Sequence, residues 1–295
     1  MTSPIFGRVL TAMVTPMTPD GAVDEDAVIA VADHLLAHSH DGIVVNGTTG
    51  ESATLTADES IRVIELVARH VGDRAVVVAG VGSNDTAHSI DMAHRAAAVG
   101  ARGLLVVTPY YNKPTQPGLV AHFGAIADAT DLPVLVYDIP GRTGTPIHTE
   151  TLLRLAEHPR IVAVKDAKGD LWAATQVMAA TGLQWYSGDD VLNLAHLAQG
   201  AVGVVSVVGH VAGDAYAAMI AAVEAGDLAA ARTIHRTLIP VVDAIMNTSQ
   251  GAIMAKAALV ELGIIPCAFV RLPLVESPPE HLAKLREGLI RSGIR

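Results

Sequence analysis

The chain has 295 residues, a formal net charge of −10 and a single cysteine, Cys267. One cysteine excludes an intrachain disulfide and any site that binds a metal through several cysteines. The net negative charge and the lack of a run of basic residues argue against nucleic acid as a partner. No uncharged apolar stretch reaches about 18 residues, and the N-terminus lacks the pattern of a secretory signal. We therefore expect a cytoplasmic protein with no membrane partner.

Eight short apolar runs along the chain predict buried β-strands. These runs are Val9–Val14, Gly42–Asn46, Ala75–Ala79, Gly103–Val107, Pro133–Asp138, Ile161–Asp166, Gln184–Ser187 and Gly203–Val207. After the second run begins, successive starts lie roughly 20 to 33 residues apart, which is the length of one βα unit. Eight such units predict an α/β fold, the (β/α)8 TIM barrel. An open doubly wound sheet is the alternative, but no Gly-x-Gly-x-x-Gly follows the first run.

Past residue 213 the strand pattern stops and helical patterns replace it. The helices that we predict there cover residues 214–225, 228–246, 251–262 and 279–292. The first of them completes the barrel, and no low-complexity linker follows it. We therefore divide the chain into a catalytic barrel domain, residues 1–226, and a C-terminal helical extension, residues 227–295, that packs on the barrel.

Lys165 stands alone in the apolar run Ile161–Asp166. Burial disfavours the charged form of a lysine and lowers its pKa, and a neutral amine can attack a carbonyl carbon to form a Schiff base. The alternation of a strand places Lys165 with Ala163 towards the barrel interior and Asp166 on the opposite face, where it does not hold the amine charged. A lysine whose ammonium reaches water at the strand end is the alternative.

Other unusual residues follow the C-terminal ends of predicted strands, where barrels of this kind carry their chemistry. Thr48 and Thr49 lie between two glycines, and such a loop can present N–H groups and hydroxyls to a small carboxylate; a glycine turn with a threonine helix cap is the alternative. Tyr137 lies one strand from Lys165 and can relay protons, or it is a core tyrosine. Arg142 suits a bidentate grip on a carboxylate, or it is solvated.

The 13 histidines are scattered, mostly over predicted helices. His34 and His38 lie four residues apart, but no third ligand accompanies them. We therefore expect no metal and no other cofactor, which disfavours a metal-dependent aldolase.

Together these motifs resemble the dihydrodipicolinate synthase family of lysine-dependent pyruvate aldolases and lyases, over nearly the whole chain. Besides Lys165 and Arg142, the resemblance is carried by Thr11–Pro16, Gly47–Glu51, Tyr110–Pro114, Met254–Ala258 and Arg271–Val275. The glycine–threonine loop and the lysine are shared across the superfamily that also contains N-acetylneuraminate lyase. The Tyr110 segment and the arginine favour this family over the sialic-acid and sugar-acid relatives.

The resemblance implies that Lys165 forms a Schiff base with pyruvate and that Thr48 and Thr49 bind the pyruvate carboxylate. The resulting enamine would add to L-aspartate 4-semialdehyde, whose carboxylate Arg142 would bind, and the ring closure would free the lysine. This lyase-class reaction is the first committed step of diaminopimelate and lysine biosynthesis. Another pyruvate-dependent class I aldolase, acting on a sugar acid, is the alternative. A catalytically silent barrel is a third, but such a chain is expected to lose these residues.

The resemblance also implies a proton relay of Thr48, Tyr137 and Tyr111. In the family the last of these comes from the neighbouring subunit, which implies a homo-oligomer, a dimer at least and usually a tetramer. The further positions implied to bind substrate are Gly188, Val205 and Ser206.

One region departs from the family pattern. Lysine-sensitive members resemble one another in a dimer-interface site that often uses histidines and a glutamate. The matching positions here are Ala57, Ser60 and His88, although Asn84 and Tyr110 remain. Because a carboxylate that would pair with the ammonium of lysine is missing, we expect weak or absent feedback inhibition by lysine.

Overall fold

The computed structural model of the protein describes residues 3–295. Eight parallel strands close into a barrel in which each strand pairs with the next along the chain and the last pairs with the first. These strands are β1 (Val9–Ala12), β2 (Gly42–Val45), β3 (Val76–Gly80), β4 (Gly103–Val107), β5 (Val134–Asp138), β6 (Ile161–Asp166), β7 (Gln184–Ser187) and β8 (Gly203–Ser206). The predicted (β/α)8 barrel is confirmed, and each strand lies within about two residues of its predicted bounds.

Helices follow the strands and continue beyond the barrel. They are α1 (Glu25–Ala37), α2 (Ala57–Val71), α3 (Thr86–Ala98), α4 (Gln116–Ala129), α5 (Pro140–Thr143), α6 (Thr149–Leu155), α7 (Leu171–Ala180), α8 (Asn193–Ala198), α9 (Gly209–Glu224), α10 (Leu228–Met246), α11 (Gly251–Glu261) and α12 (Pro279–Arg291). Short 3-10 turns cover Thr48–Gly50, Gly72–Arg74 and Asp190–Leu192. Among residues 3–295, no helix has both the length and the apolar character that crossing a membrane requires.

The strands are apolar along their length because both faces of the sheet are covered. Leu10, Val44, Leu135 and Ala163 belong to the buried cluster inside the barrel, whereas outward residues such as Val164 pack among the helices. Side chains that point inward from the C-terminal ends of the strands therefore meet at one mouth of the barrel.

The last barrel helix, α9, begins at Gly209, so the prediction of a start at residue 214 is wrong. A Cβ on Gly209 would lie 2.1 Å from the Thr11 hydroxyl oxygen, and one on Gly213 would lie 2.2 Å from the His38 carbonyl oxygen. These two glycines therefore serve close packing within the helix and do not break it, although the helix is kinked at Ala212.

The three helices after residue 227 bury their own apolar cluster. Leu238 and Val241 of α10, Leu285 of α12 and Ala258 of α11 pack together with Tyr216 of α9. The extension is thus continuous in packing with the last barrel helix. The division of the chain at residue 226 into two domains stays a prediction.

Candidate active site

The Lys165 side chain lies inside the barrel at the end of β6 and is 4% exposed. Burial lowers the pKa of Lys165 to about 7, the Arg142 cation adds to this effect, and the Asp190 carboxylate opposes it. The Lys165 amine forms no hydrogen bond in the described chain. The neighbouring Asp166 points the other way, where its carboxylate accepts hydrogen bonds from the Trp185 indole N–H at 3.2 Å and the Lys168 backbone N–H at 2.7 Å. Near pH 7 a substantial fraction of Lys165 is therefore neutral and nucleophilic.

Gly188 makes room for the stem of Lys165. A Cβ on Gly188 would lie 2.8 Å from Lys165 Cγ and 2.9 Å from Lys165 Cε, which is closer than real carbon contacts come. The Gly188 N–H donates to the Asp166 carbonyl at 2.7 Å, which fixes the loop after β7 against the end of β6. The structure thus gives Gly188 a packing contact with the nucleophile.

Tyr137 covers the amine from the neighbouring strand. The two residues are in register between β5 and β6, and Lys165 Nζ lies 4.1 Å from the centre of the Tyr137 ring. Burial raises the pKa of Tyr137 well above its ordinary value, so its hydroxyl stays protonated at neutral pH. Within residues 3–295 this hydroxyl has no hydrogen-bond partner, which leaves it able to donate and accept a proton beside the reacting amine.

A cavity of about 690 Å³ opens beside these residues. Thr48, Tyr110, Tyr137 and Arg142 are among the residues that line it, and Lys165, which does not line it, contacts the Tyr137 ring. The cavity is large enough for two small substrates together.

Arg142 lies on α5, a single helical turn. Proline at the first position and Gly144 in the left-handed region, at φ 74°, delimit this turn. No carboxylate forms an ion pair with Arg142 in the part of the chain that the structure describes. A guanidinium that lines a cavity without a protein anion is suited to bind an anionic ligand.

Thr48 and Thr49 form a 3-10 turn directly after β2. Thr48 is exposed to the cavity, whereas Thr49 is 7% exposed. The threonine helix cap considered above does not occur, because no side chain caps this turn and Thr56 caps α2. The Thr15 hydroxyl donates to the Gly50 carbonyl at 2.8 Å and ties the turn to the segment after β1.

Tyr111 lies apart from this group. It is 90% exposed, has a backbone φ of 71° and does not line the cavity among the described residues. The structure of one chain therefore brings Lys165, Tyr137, Thr48 and Arg142 together and leaves Tyr111 on the surface.

Val205 and Ser206 are buried at the end of β8 and do not reach the cavity. Val205 belongs to the cluster inside the barrel. The Ser206 hydroxyl donates to the Asp190 carboxylate and accepts from the Gly209 N–H at 2.7 Å. Asp190, which is 2% exposed, also accepts from the backbone N–H groups that follow Ser206 at 2.8 and 3.0 Å. The sequence did not indicate this role of Asp190, which joins the loop after β7 to the end of β8.

A second lone lysine was also missed. Lys256 lies in the apolar run Met254–Leu259, the same pattern that pointed to Lys165, and its side chain is completely buried. It is ion-paired with Glu51, the residue after the threonine turn. Burial lowers the pKa of Lys256, but the hydrogen-bonded Glu51 carboxylate opposes this effect, and among the described residues Lys165 has no such ion-pair partner.

The residues at the expected lysine-sensing positions also line this cavity, and they are Ala57, Ser60, Asn84, His88 and Tyr110. Weak inhibition by lysine stays a prediction. No group of three or more His, Cys, Asp or Glu side chains within residues 3–295 has the arrangement that holds a metal ion.

Comparison with known proteins assigns the chain to a family. The model of the dihydrodipicolinate synthetase family matches residues 5–291. A 4-hydroxy-tetrahydrodipicolinate synthase from Kineococcus radiotolerans is 57% identical over 289 residues, which are 98% of this chain and 94% of that protein. One from Acidothermus cellulolyticus is 58% identical over 288 residues, 98% and 93% of the two chains. A solved structure of the synthase from Cyanidioschyzon merolae with lysine bound is 42% identical, covers 99% of each chain and has a TM-score of 0.96. The chain belongs to the dihydrodipicolinate synthetase family.

Proposed function

We propose that this protein is a 4-hydroxy-tetrahydrodipicolinate synthase, which condenses pyruvate with L-aspartate 4-semialdehyde in lysine biosynthesis. The observation that carries the proposal is the unpaired, buried amine of Lys165 in contact with the ring of Tyr137, which lines the same cavity as Arg142. The relatives that carry this activity in their names match nearly the full chain. We also propose that the enzyme acts in the cytoplasm.

In the first step the neutral Lys165 amine attacks the ketone carbon of pyruvate. The carbinolamine takes up a proton and loses water to become a protonated imine, and loss of a methyl proton converts this imine to a nucleophilic enamine. Thr48 and Thr49 bind the pyruvate carboxylate through the hydroxyls and N–H groups of their turn, which is supported by the absence of any side-chain cap on that turn. Val205 and Ser206 shape the buried end of the barrel below the bound pyruvate.

In the second step the enamine carbon attacks the aldehyde carbon of the semialdehyde, and the aldehyde oxygen takes up a proton to become a hydroxyl group. The amino group of the second substrate then replaces Lys165 on the imine carbon, which closes the ring and returns the free lysine. Arg142 holds the carboxylate of the semialdehyde, since it lines the cavity as an unpaired cation.

Protons move through Tyr137 and Thr48 to a tyrosine supplied by a second copy of the chain. Tyr111 is the candidate, because its 90% exposure and left-handed backbone hold its side chain away from its own site. This arrangement requires at least a dimer, and we propose a tetramer. Tyr137 acts as a neutral hydroxyl that accepts and donates, because burial raises its pKa.

Three substrate assays with the purified protein test the proposal. Pyruvate-dependent consumption of aspartate 4-semialdehyde is measured beside cleavage of a sialic acid and of a 2-keto-3-deoxy sugar acid. We expect turnover of the semialdehyde alone. Turnover of a sugar acid alone would be consistent with the Schiff-base mechanism but would contradict the assignment of aspartate 4-semialdehyde as the substrate.

Replacing Arg142 with methionine is expected to raise KM for the semialdehyde about tenfold to a hundredfold, since a charge-assisted hydrogen bond contributes roughly 1.5–3 kcal/mol. KM for pyruvate should change little. Arg154→Met is the matched control, because Arg154 is an exposed arginine on α6. An increase in KM for pyruvate instead of the semialdehyde would assign Arg142 to the wrong carboxylate.

The pH dependence of kcat/KM for pyruvate is expected to follow the neutral form of Lys165. Because burial lowers the pKa of Lys165 to about 7, kcat/KM should fall about tenfold per pH unit below that value and level off above it. A lysine with an ordinary pKa would instead give a rate that still rises above about pH 9.

Asp138 provides the control for this profile, since burial raises its pKa to about 7 as well. Its carboxylate accepts from the Ile147 N–H at 3.2 Å on the outer side of β5. The Asp138→Asn variant should still show the fall in kcat/KM at low pH. Loss of that fall in this variant would assign it to the titration of Asp138.

A further inference from the structure

The threonine turn is tied to the C-terminal extension through one buried carboxylate. Glu51, which follows the turn directly, accepts hydrogen bonds from the Lys256 ammonium and, at 3.0 Å, from the Arg271 backbone N–H. The Lys256 ammonium also donates to the Phe269 carbonyl at 2.8 Å. The Lys256 and Glu51 side chains are 0% and 1% exposed, so bulk solvent does not reach this ion pair.

Residues 269–274, which we name the C-terminal strap, also hold the segment after the turn. The Arg271 guanidinium donates to the Thr54 carbonyl at 2.7 Å and to the Gly21 carbonyl at 2.8 Å, and it is ion-paired with Glu59 at the start of α2. Further along the strap, Pro273 and Leu274 line the cavity itself. The strap thus contacts Glu51, next to the turn, through Arg271, and it lines the cavity through Pro273 and Leu274.

A buried ion pair is a poor way to add stability, because removing two charges from water offsets most of their attraction. What such a pair does well is fix one geometry, since its hydrogen bonds tolerate little displacement. Glu51 has a backbone φ of 57°, and its N–H donates to the Thr48 carbonyl at 3.1 Å. Fixing the Glu51 carboxylate therefore fixes the turn that presents the Thr48 hydroxyl to the cavity.

We propose that Lys256 and Glu51 are positioning residues that hold the Thr48–Thr49 turn in the geometry that binds the carboxylate of pyruvate. The inference rests on the proposed function, since it assumes that this turn binds pyruvate. It gives the C-terminal extension a role in substrate binding, through a lysine that never touches substrate.

Lys256→Met tests the proposal by removing the ammonium and keeping most of the side-chain volume. We expect KM for pyruvate to rise about tenfold or more while KM for the semialdehyde stays within about twofold, because only the pyruvate turn loses its anchor. Borohydride trapping of pyruvate on the enzyme should need correspondingly more pyruvate.

Because Lys256→Met leaves a buried carboxylate unpaired, the double variant Glu51→Gln/Lys256→Met is measured beside it. The double variant removes both charges and should regain stability, yet KM for pyruvate should stay raised, since an amide and a thioether do not fix the turn. Leu259→Ala is the control for general loss of stability in the same helix, because Leu259 is fully buried and its aliphatic side chain forms no hydrogen bond with Glu51. It should lower Tm and leave KM for pyruvate unchanged.

Measurements on the wild-type enzyme distinguish a failure of the proposed function from a failure of the positioning role. If borohydride traps no pyruvate on wild-type protein, the proposed function fails. If the wild type is trapped and the double variant has a wild-type KM for pyruvate, the positioning role is wrong. The role is equally wrong if Leu259→Ala raises KM for pyruvate as much as Lys256→Met does.

Discussion

Replacing Lys165 with methionine is expected to lower kcat by at least about a thousandfold, because the nucleophile that forms the imine is lost. Methionine has nearly the same length and fits the space between Gly188 and the Tyr137 ring. The measurement is steady-state turnover of pyruvate with aspartate 4-semialdehyde, together with borohydride trapping, which should give no adduct at this position.

The same variant should be at least as stable as the wild type. A pKa lowered from 10.5 to about 7 means that burying this amine costs of the order of 4 kcal/mol near pH 7. The full cost applies below the pKa of Lys165 in the folded protein. It disappears as the pH rises towards the pKa of the same lysine in the unfolded chain. The Tm advantage of Lys165→Met should therefore shrink above pH 7.

Lys284→Met, which removes a lysine on the last helix, is the matched control and should keep full activity. Residual activity within tenfold of wild type in Lys165→Met would show that the nucleophile is another group. A marked fall in Tm would show that Lys165 is charged and paired in the folded protein, contrary to its missing hydrogen bonds.

Replacing Tyr137 with phenylalanine is expected to lower kcat about a hundredfold or more, since the ring over Lys165 remains and only the proton-carrying hydroxyl is lost. KM for either substrate should change by much less. The measurement is kcat and the rate of imine formation by rapid mixing, and both should fall together.

Tyr186→Phe is the control for this prediction. Tyr186 is the other buried tyrosine inside the barrel, and its hydroxyl accepts from the Phe6 N–H at 3.3 Å, away from the cavity. It should reduce stability slightly and leave kcat near the wild-type value. Equal losses of kcat in the two variants would remove Tyr137 from the proton path.

The barrel could be predicted because its strands are buried on both faces and read as separate apolar runs. Lys165 could be found for the same reason, since a charge inside such a run contrasts with its neighbours. Strand alternation then separated Lys165 from Asp166, and the structure has Ala163 inside the barrel and Val164 among the helices as expected.

The supporting contacts could not be predicted, because they join residues far apart in the chain. Lys256 and Glu51 are separated by 205 positions, and their contact depends on how α11 packs against the barrel. Asp190 receives the groups after β8 only because the loop after β7 lies beside them. Lys256 did carry a signal, a lone lysine in an apolar run, but nothing in its own segment says whether its charge is paired.

The most direct test of the Schiff-base account maps the site at which borohydride fixes pyruvate. The protein is reduced in the presence of pyruvate, digested and analysed by mass spectrometry of its peptides. We expect one modified peptide, with the adduct on Lys165 and none on the buried but ion-paired Lys256. An adduct on Lys256 or on surface lysines alone, or no adduct at all, would contradict the account.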